Sequence, residues 1–321
     1  MEAIFTRNQI RRALADSAAV LAAIGAALAA PPSALYLRGY TVIPSPQQTE
    51  LRGADFLFND GWRLELGEGA RAEDVAVESL HAQLSERYGL KLRSGGEGSA
   101  VELMIHPGSV KIGAATDSDK IALAEQAYLL NLDPKRIRIT ANAPAGLFYG
   151  VETLVQLVKS ERGKLWLPEG QILDWPDVRL REVFWDELEH LDHVDVIKQA
   201  IERSAFFKMN ALVLRLNQHF EYQSAPALVD PYALTAAQLQ DVTNYGLRFH
   251  IQVIPYLDGP AHVNFILDHD EYAKLREFPE TTFEMCSTNP ETYKLLEGMY
   301  QNLMDANRGV KYFYLSTDEP Y

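Results

Sequence analysis

Residues 211–220, ALVLRLNQHF, indicate the fold class most clearly. Ala211 to Leu214 are apolar at every position, which is typical of a strand buried on both faces of a parallel sheet. Asn217, Gln218 and His219 follow almost at once. We therefore expect polar side chains where a buried strand ends.

The sequence on either side repeats this rhythm of strand and helix. Thr235 is a suitable N-cap, Gly246 a suitable helix stop, and Pro290 a favoured residue in a first helical turn. The pattern predicts strands at 183–185, 211–216, 249–254 and 312–315, alternating with helices at about 194–208, 235–245 and 290–306. Four such units predict an α/β fold with a parallel sheet, either doubly wound or a (β/α)8 barrel. Because no glycine-rich phosphate loop follows the first strand, the nucleotide-binding doubly wound fold is excluded.

The residues before this repeat mix short strands with helices. Strands are predicted at 35–37, 56–58, 101–105 and 136–140, and helices at about 72–88 and 145–158. The stretch from Gly163 to Pro168 separates the two patterns. We therefore predict an accessory α+β domain over residues 35–170 and a second domain over residues 171–321.

Composition and charge narrow the class of protein. The chain has 321 residues, of which 47% are apolar and 23% charged, and this is the composition of a folded globular protein. Its formal net charge of −14 repels phosphate backbones and anionic lipids, so neither nucleic acid nor a membrane is expected as a partner. The single cysteine, Cys286, rules out an intrachain disulfide.

The N-terminal segment has its own pattern. Arg7, Arg11 and Arg12 precede an apolar run from Ser17 to Ala30, which ends in small residues before two prolines. This order predicts a signal peptide over residues 1–30 and a secreted or periplasmic protein. An alanine-rich N-terminal helix is the alternative.

Polar residues cluster at the ends of the predicted strands. They are Asp186, the group at 217–219, Asp258 with His262, and Asp318 with Glu319. Any one of them could simply cap the next helix. Four strand ends together favour the catalytic face of a (β/α)8 TIM barrel over a doubly wound sheet.

The pair Asp318-Glu319 stands directly before Pro320, which ends the predicted strand. Adjacent residues on a regular strand point to opposite faces, so two neighbouring carboxyl groups share a site only where the strand ends. Two carboxyl groups held close do not both ionise readily. A carboxylic acid beside a carboxylate is the pair that cleavage of a glycosidic bond needs.

Several motifs in order resemble one family. They are Asp174-Trp175-Pro176, Phe207-Lys208-Met209-Asn210, Asp258-Gly259-Pro260-Ala261-His262, the run from Cys286 to Thr292, and Asp318-Glu319. Together they resemble the family 20 glycoside hydrolases, the β-N-acetylhexosaminidases. Residues 43–46 and 144–150 resemble the accessory zincin-like domain of that family, so the resemblance runs from about residue 40 to the end.

The resemblance implies a substrate-assisted retaining mechanism on a carbohydrate that ends in N-acetylhexosamine, with no cofactor and no metal. Glu319 would be the general acid and Asp318 would stabilise the substrate's acetamido group. The remaining matches concern substrate binding. Arg181 would bind sugar hydroxyls, His262 would support the acid, and Asp186 and Asp258 would lie on the floor of the site.

The chain also departs from the family pattern. Gln218 and His219 stand where the family has two aspartates, and a neutral amide stabilises an imidazolium less well than a carboxylate does. Five further positions differ, namely Ser316 and Thr317 in place of two glycines, Glu182 in place of a glycine, Tyr256 in place of a glutamate, and Glu189 in place of a basic residue. These changes alter the expected pocket.

The sequence reaches only four of the eight βα units that the family's barrel requires, because it stops at Tyr321. The expected fold is therefore the N-terminal half of a catalytic barrel behind the accessory domain. A non-catalytic carbohydrate-binding or scaffold protein on the same fold is the alternative function. The sequence makes no prediction of the oligomeric state.

One other cluster has a spacing that could hold a metal. His190 and His193 lie three residues apart, with Asp192 and Asp195 beside them. The solvated start of a helix is the favoured interpretation, and no metal site is predicted.

Overall fold

The computed structural model describes residues 32–187, 190–317 and 319 of the chain. The signal peptide predicted for residues 1–30 lies outside the described residues, and so do Glu189 and Asp318. The residues from Val42 onward form one compact unit. The segment before them contains helix α1, Ala34–Leu37, where a strand was predicted. That prediction is wrong because Ser33 accepts a hydrogen bond from the Tyr36 N–H and so caps a helical turn.

The first half of the compact unit contains a six-stranded mixed sheet. Its strand order is β1-β9-β5-β6-β4-β3, in which β3, β4 and β6 are parallel and β1, β5 and β9 pair antiparallel with their neighbours. A smaller antiparallel sheet has the order β2-β8-β7. The nine strands are β1 Gln48–Leu51, β2 Phe56–Phe58, β3 Arg63–Leu66, β4 Ala100–Ile105, β5 Tyr128–Leu132, β6 Arg136–Ala141, β7 Lys159–Glu161, β8 Lys164–Leu167 and β9 Gly170–Asp174.

Three helices accompany these strands: α2 Val75–Tyr88, α3 Lys120–Ala124 and α4 Pro144–Leu157. The predicted helices at 72–88 and 145–158 are thus confirmed. Helix α2 ends at Gly89, whose φ of 62° is in the left-handed region that glycine adopts without strain. Helix α4 packs closely on the sheet at Gly150. A Cβ at that position would come within 2.5 Å of Ile139 Cγ2 in β6.

The second half of the unit contains the predicted parallel sheet. Its three strands have the order β10-β11-β12 and pair in register, so that Asp186, Arg215 and Tyr256 lie side by side. The elements are β10 Glu182–Asp186, α5 Val194–Phe206, β11 Ala211–Arg215, α6 Ala236–Arg248, β12 Gln252–Tyr256, α7 Asn264–Leu267 and α8 Pro290–Asp305. The fold is therefore mixed α/β, with consecutive parallel strands joined by helices.

Two strand predictions in this half need correction. Strand β12 begins at Gln252 rather than Phe249, because helix α6 runs on to Arg248 and the N–H groups of Phe249 and Ile251 bond to the Gly246 carbonyl. The second error concerns residues 312–315, which form no strand among the described residues. There the Tyr314 ring packs on Tyr256 of β12 instead, and the backbone N–H of the preceding Lys311 donates to the side chain of Gln252 in β12.

A buried ion pair joins the two halves. Lys208, which is 5% exposed, precedes β11, and its Nζ donates to Asp174 Oδ2 in β9 at 3.1 Å and to the Tyr128 hydroxyl in β5 at 2.9 Å. Tyr128 in turn donates to Asp174 Oδ2 at 2.7 Å. Burial lowers the pKa of Lys208, and the negative charge of Asp174 opposes that shift.

The described helices give no membrane span. None of them is both long enough and apolar enough to cross a lipid bilayer.

Candidate active site

The carboxyl ends of β10, β11 and β12 form one edge of the parallel sheet. Asp186 is the last residue of β10 and Arg215 the last residue of β11. Asp258 follows two residues after β12. The parallel register brings these positions together, as the sequence predicted for Asp186 and Asp258.

Arg215 is the centre of a charged network at this edge. Its guanidinium donates to Asp258 Oδ2 from Nε at 2.8 Å and from Nη2 at 2.6 Å, and to Asp186 Oδ2 from Nη1 at 3.1 Å. Asn217 adds a third donor to Asp258 Oδ2 at 2.6 Å, and its own Oδ1 accepts from the Asp258 N–H at 3.0 Å. Asp258 is only 1% exposed, so these donors replace the water that its carboxylate has lost.

Neither Arg215 nor the role of Asn217 was predicted. The available signal was a single cation within an otherwise apolar strand, because such a residue is stable in a sheet only if it reaches an acidic partner.

His262 and Glu319 form the second contact at this edge. His262 Nε2 lies 3.3 Å from Glu319 Oε2, although the two residues are far apart in sequence. The imidazole packs edge-on against the Phe283 ring at 4.7 Å, which fixes its orientation. The Glu319 side chain is 72% exposed and is therefore open to a ligand. Asp318, its predicted partner, lies outside the described residues.

Aromatic side chains form an apolar surface next to these groups. The Tyr256 ring contacts Phe184 at 5.3 Å and Tyr314 at 4.9 Å between centroids. Its hydroxyl bonds to Ser316 Oγ at 2.8 Å, so two residues that depart from the family pattern contact each other. Burial raises the pKa of Tyr256, which keeps this hydroxyl protonated.

Arg181 does not join this edge. It was predicted to converge with the acids, but it precedes β10 at the opposite end, roughly 16 Å from Asp186 at about 3.3 Å per strand residue. Its Nε donates to the Lys208 carbonyl, Nη1 to the Val178 carbonyl and Nη2 to Gln126 Oε1. These three bonds hold the guanidinium beside Gln126 and Lys208, so the prediction of convergence is corrected for Arg181.

The residues at the expected histidine relay contact each other. Gln218 Nε2 lies 3.3 Å from His219 Nε2, and His219 Nδ1 lies 4.0 Å from Asp230 Oδ2. The His219 imidazole thus faces Asp230. Gln218 and His219 therefore make contacts that two aspartates at these positions would not make.

Comparison with known sequences places the chain in a family. Residues 39–175 match the sequence model of glycosyl hydrolase family 20, domain 2, and residues 180–321 match that of the family 20 catalytic domain. The chain therefore belongs to glycosyl hydrolase family 20, and the resemblance found in its motifs is confirmed.

Its relatives are enzymes of known class. The chain is 24% identical over 292 residues to a beta-hexosaminidase of Vibrio furnissii, covering 80% of this chain and 45% of the relative. It is 30% identical over 213 residues to a beta-N-acetylhexosaminidase of Cellulomonas fimi, covering 60% and 40%. The chain thus spans less than half the length of these curated relatives.

Solved structures agree on the fold. A beta-hexosaminidase of Streptomyces plicatus, a mutant solved with its product GlcNAc, superimposes with a TM-score of 0.68 at 25% identity, over 85% of this chain and 58% of that one. A chitobiase of Flavobacterium johnsoniae gives 0.69 at 22% identity, over 85% and 44%.

Proposed function

We propose that this chain supplies the general acid of a retaining glycosidase that removes terminal N-acetylhexosamine from a glycan. The contact between His262 Nε2 and Glu319 Oε2 is the observation that carries the proposal, because it gives an exposed carboxyl group a defined partner at the end of a parallel sheet. Strands β10 to β12 would then be the first strands of a (β/α)8 barrel. Their consecutive parallel order supports that assignment.

The proposed reaction has two steps, and in each of them both the substrate and the protein take part. In the first, the acetamido carbonyl oxygen attacks the anomeric carbon and the glycosidic bond breaks, while Glu319 gives its proton to the leaving oxygen. Asp318 stabilises the positive charge that develops on the acetamido nitrogen. In the second, the Glu319 carboxylate takes a proton from water, and the water oxygen opens the cyclic intermediate with overall retention.

The charged network at the edge has a supporting role in this proposal. Asp258 and Asp186 are both engaged by Arg215, so they shape the floor of the site and leave proton transfer to Glu319. The net charge of −14 supports a carbohydrate rather than a nucleic acid or an anionic membrane as the partner. We also propose that the protein is secreted or periplasmic, on the N-terminal pattern of residues 1–30.

Release of nitrophenol from an aryl N-acetylglucosaminide tests the proposal. We expect hydrolysis when this chain is part of a complete family 20 barrel. Glu319→Gln should abolish cleavage of substrates with poor leaving groups yet largely spare an activated aryl leaving group, which needs no proton. Asp318→Asn should slow every substrate, on the order of a hundredfold or more, because it removes charge stabilisation.

A matched control is Glu297→Gln, on the exposed face of α8, which should leave both rates unchanged. Equal loss for good and poor leaving groups in Glu319→Gln would contradict its role as the acid. Full activity on a glycoside that lacks the acetamido group would contradict the substrate-assisted mechanism.

A second candidate function is carbohydrate binding without turnover. The hydrogen bonds that direct the Arg181 guanidinium to the opposite end of the sheet favour it, since this arginine was the expected ligand of the sugar hydroxyls. Saturable binding of N-acetylglucosamine by calorimetry, together with no release of nitrophenol, would select this alternative.

A further inference from the structure

A second cluster of ionisable side chains lies just beyond the end of β10. Glu187, His190 and Asp192 each offer one ligand atom, and these atoms all lie within 4.8 Å of one another. His190 Nε2 and Asp192 Oδ1 are 3.8 Å apart. Donor atoms around a tetrahedral zinc ion lie roughly 3.5 Å apart. The ligand atoms must therefore come closer together, and rotation of the exposed His190 side chain allows this.

Glu187 is the buried member of this cluster. It is 0% exposed, and its Oε1 has no hydrogen-bond partner among the described residues. A buried carboxylate with one unpartnered oxygen is unstable unless it is protonated or bound to a metal.

The other oxygen of each acid is already held in place. Glu187 Oε2 accepts from the Asp192 N–H at 2.7 Å, and Asp192 Oδ2 accepts from Trp185 Nε1 at 3.3 Å. These bonds leave Glu187 Oε1 and Asp192 Oδ1 for the third partner, His190. Hydrogen bonds of this kind orient the ligands of protein metal sites.

Solvent reaches the cluster from one side. His190 and Asp192 line a cavity of about 520 Å³ whose other wall includes His219 and Asp230. An ion can therefore enter, and water can fill the position that the protein leaves open.

We propose that Glu187, His190 and Asp192 bind one divalent cation of the zinc class, with water completing its coordination. One imidazole and two carboxylates suit zinc better than magnesium, because imidazole is a poor ligand for magnesium. The site differs from the sequence-based alternative, since it uses Glu187 in place of His193 and Asp195. It concerns the segment between β10 and α5 and is independent of the proposed hydrolase activity.

Calorimetric titration of the metal-free protein with zinc chloride tests this site. We expect one ion per chain in the unaltered protein. Glu187→Gln, His190→Gln and Asp192→Asn should each weaken zinc binding on the order of a hundredfold, because loss of a partner even outside the ligand shell costs about ten- to a hundredfold. Excess magnesium chloride should not displace the zinc.

The matched control is His106→Gln. His106 is similarly exposed and lies 3.4 Å from the Glu68 carboxylate, and within the part of the chain that the structure describes the pair has no third ligand. This variant should bind zinc as the unaltered protein does. Because His190 is exposed, His190→Gln should keep its thermal midpoint in the presence of a chelator, and zinc should raise that midpoint only in proteins that keep all three ligands. Absence of zinc binding, an unchanged affinity in His190→Gln, or displacement by magnesium would overturn the proposal.

Discussion

Arg215 supplies the counter-charge that stabilises the buried Asp258 carboxylate. The guanidinium supplies two of the three side-chain donors to Asp258 Oδ2, and Asp258 is 1% exposed. We predict that Arg215→Met lowers the free energy of unfolding by about 3 kcal/mol, since it leaves a buried charge without its counter-charge. Urea denaturation measures the loss.

A surface arginine provides the control for this prediction. Arg138 donates to Glu102 Oε2 at 2.7 Å with 45% of its side chain exposed. Arg138→Met should cost less than about 1 kcal/mol, as exposed pairs do. A loss in Arg215→Met as small as that in Arg138→Met would show that Asp258 is stabilised without the cation.

Single residues also show what sequence can predict about the site. The proximity of Asp186 to Asp258 and of His262 to Glu319 could be expected, because parallel strands end at a common edge. The direction of Arg181 could not. Arg181 lies just before β10, and only the tertiary packing of the segment around Gln126 decides that its guanidinium bonds there rather than to the acids.

Helix α4 depends on two glycines that let it approach the sheet. A Cβ on Gly146 would lie 2.4 Å from the carbonyl oxygen of Ala127, which is fixed backbone. We predict that Gly146→Ala destabilises the protein by roughly 1 to 3 kcal/mol despite the better helix propensity of alanine. Thermal or urea unfolding measures the change.

Gly298 in α8 is the matching helical glycine. There an added Cβ would lie 2.9 Å from Ser224 Cβ, and Ser224 is an exposed residue outside the helices and strands, so its backbone can shift. Gly298→Ala should therefore cost about 1 kcal/mol less than Gly146→Ala, because the exposed Ser224 segment yields more easily than the backbone at Ala127. If Gly146→Ala behaved in the same way, α4 would not be held as close to the sheet as described.

The packing of α2 on α4 should make stability depend on pH. Burial raises the pKa of Glu152 from its ordinary value of 4.5 to about 8, and Ser79 donates a hydrogen bond to this carboxyl. The folded chain therefore keeps the proton after the unfolded chain has lost it, so the stability contributed below pH 4.5 is lost as pH rises toward 8.

Glu152→Gln isolates this effect, because glutamine has nearly the same shape and still accepts from Ser79 but does not titrate. We expect the unaltered protein to lose stability relative to Glu152→Gln between pH 5 and pH 8, by at most about 1.4 kcal/mol per pH unit. Urea denaturation of both proteins across this range measures the difference, in which other titrating groups such as His250 cancel. Parallel curves would mean that Glu152 ionises in the folded state as it does in water.

Helices and strands could be predicted from the sequence where the local sequence pattern agrees with the tertiary structure. Helices α2, α4, α5, α6 and α8 carry apolar residues at helical spacing together with end signals such as Thr235 and Gly89. Short apolar runs carry no such information. Leu35 to Leu37 form a helix because one serine caps it, and within 312–315 the Tyr314 ring contacts Tyr256 of β12 without a backbone ladder among the described residues.

At the scale of the whole molecule, the ion pair of Lys208 with Asp174 couples the mixed sheet to the parallel sheet. We predict that Asp174→Asn lowers the free energy of unfolding by about 3 kcal/mol, because Lys208 remains buried without a counter-charge. Adding Lys208→Met to that variant should recover part of the loss, since the buried charge is then removed as well. Urea denaturation of the single and double variants measures both effects.

The control is Asp241→Asn, which breaks the surface pair with Lys198, whose Nζ lies 2.7 Å from Asp241 Oδ2. That change should cost less than about 1 kcal/mol. No recovery in the double variant would mean that Asp174 acts through its bond with Tyr128 alone.

The same ion pair has a consequence for recombination between homologues. Tyr128 and Asp174 belong to one half of the compact unit and Lys208 to the other, and the three side chains form a single buried hydrogen-bonded group. A chimaera whose crossover falls between residues 174 and 208 would inherit this group from two parents. It should express as soluble protein only when both parents carry the same three residues, whereas a crossover placed after Lys208 keeps the group within one parent.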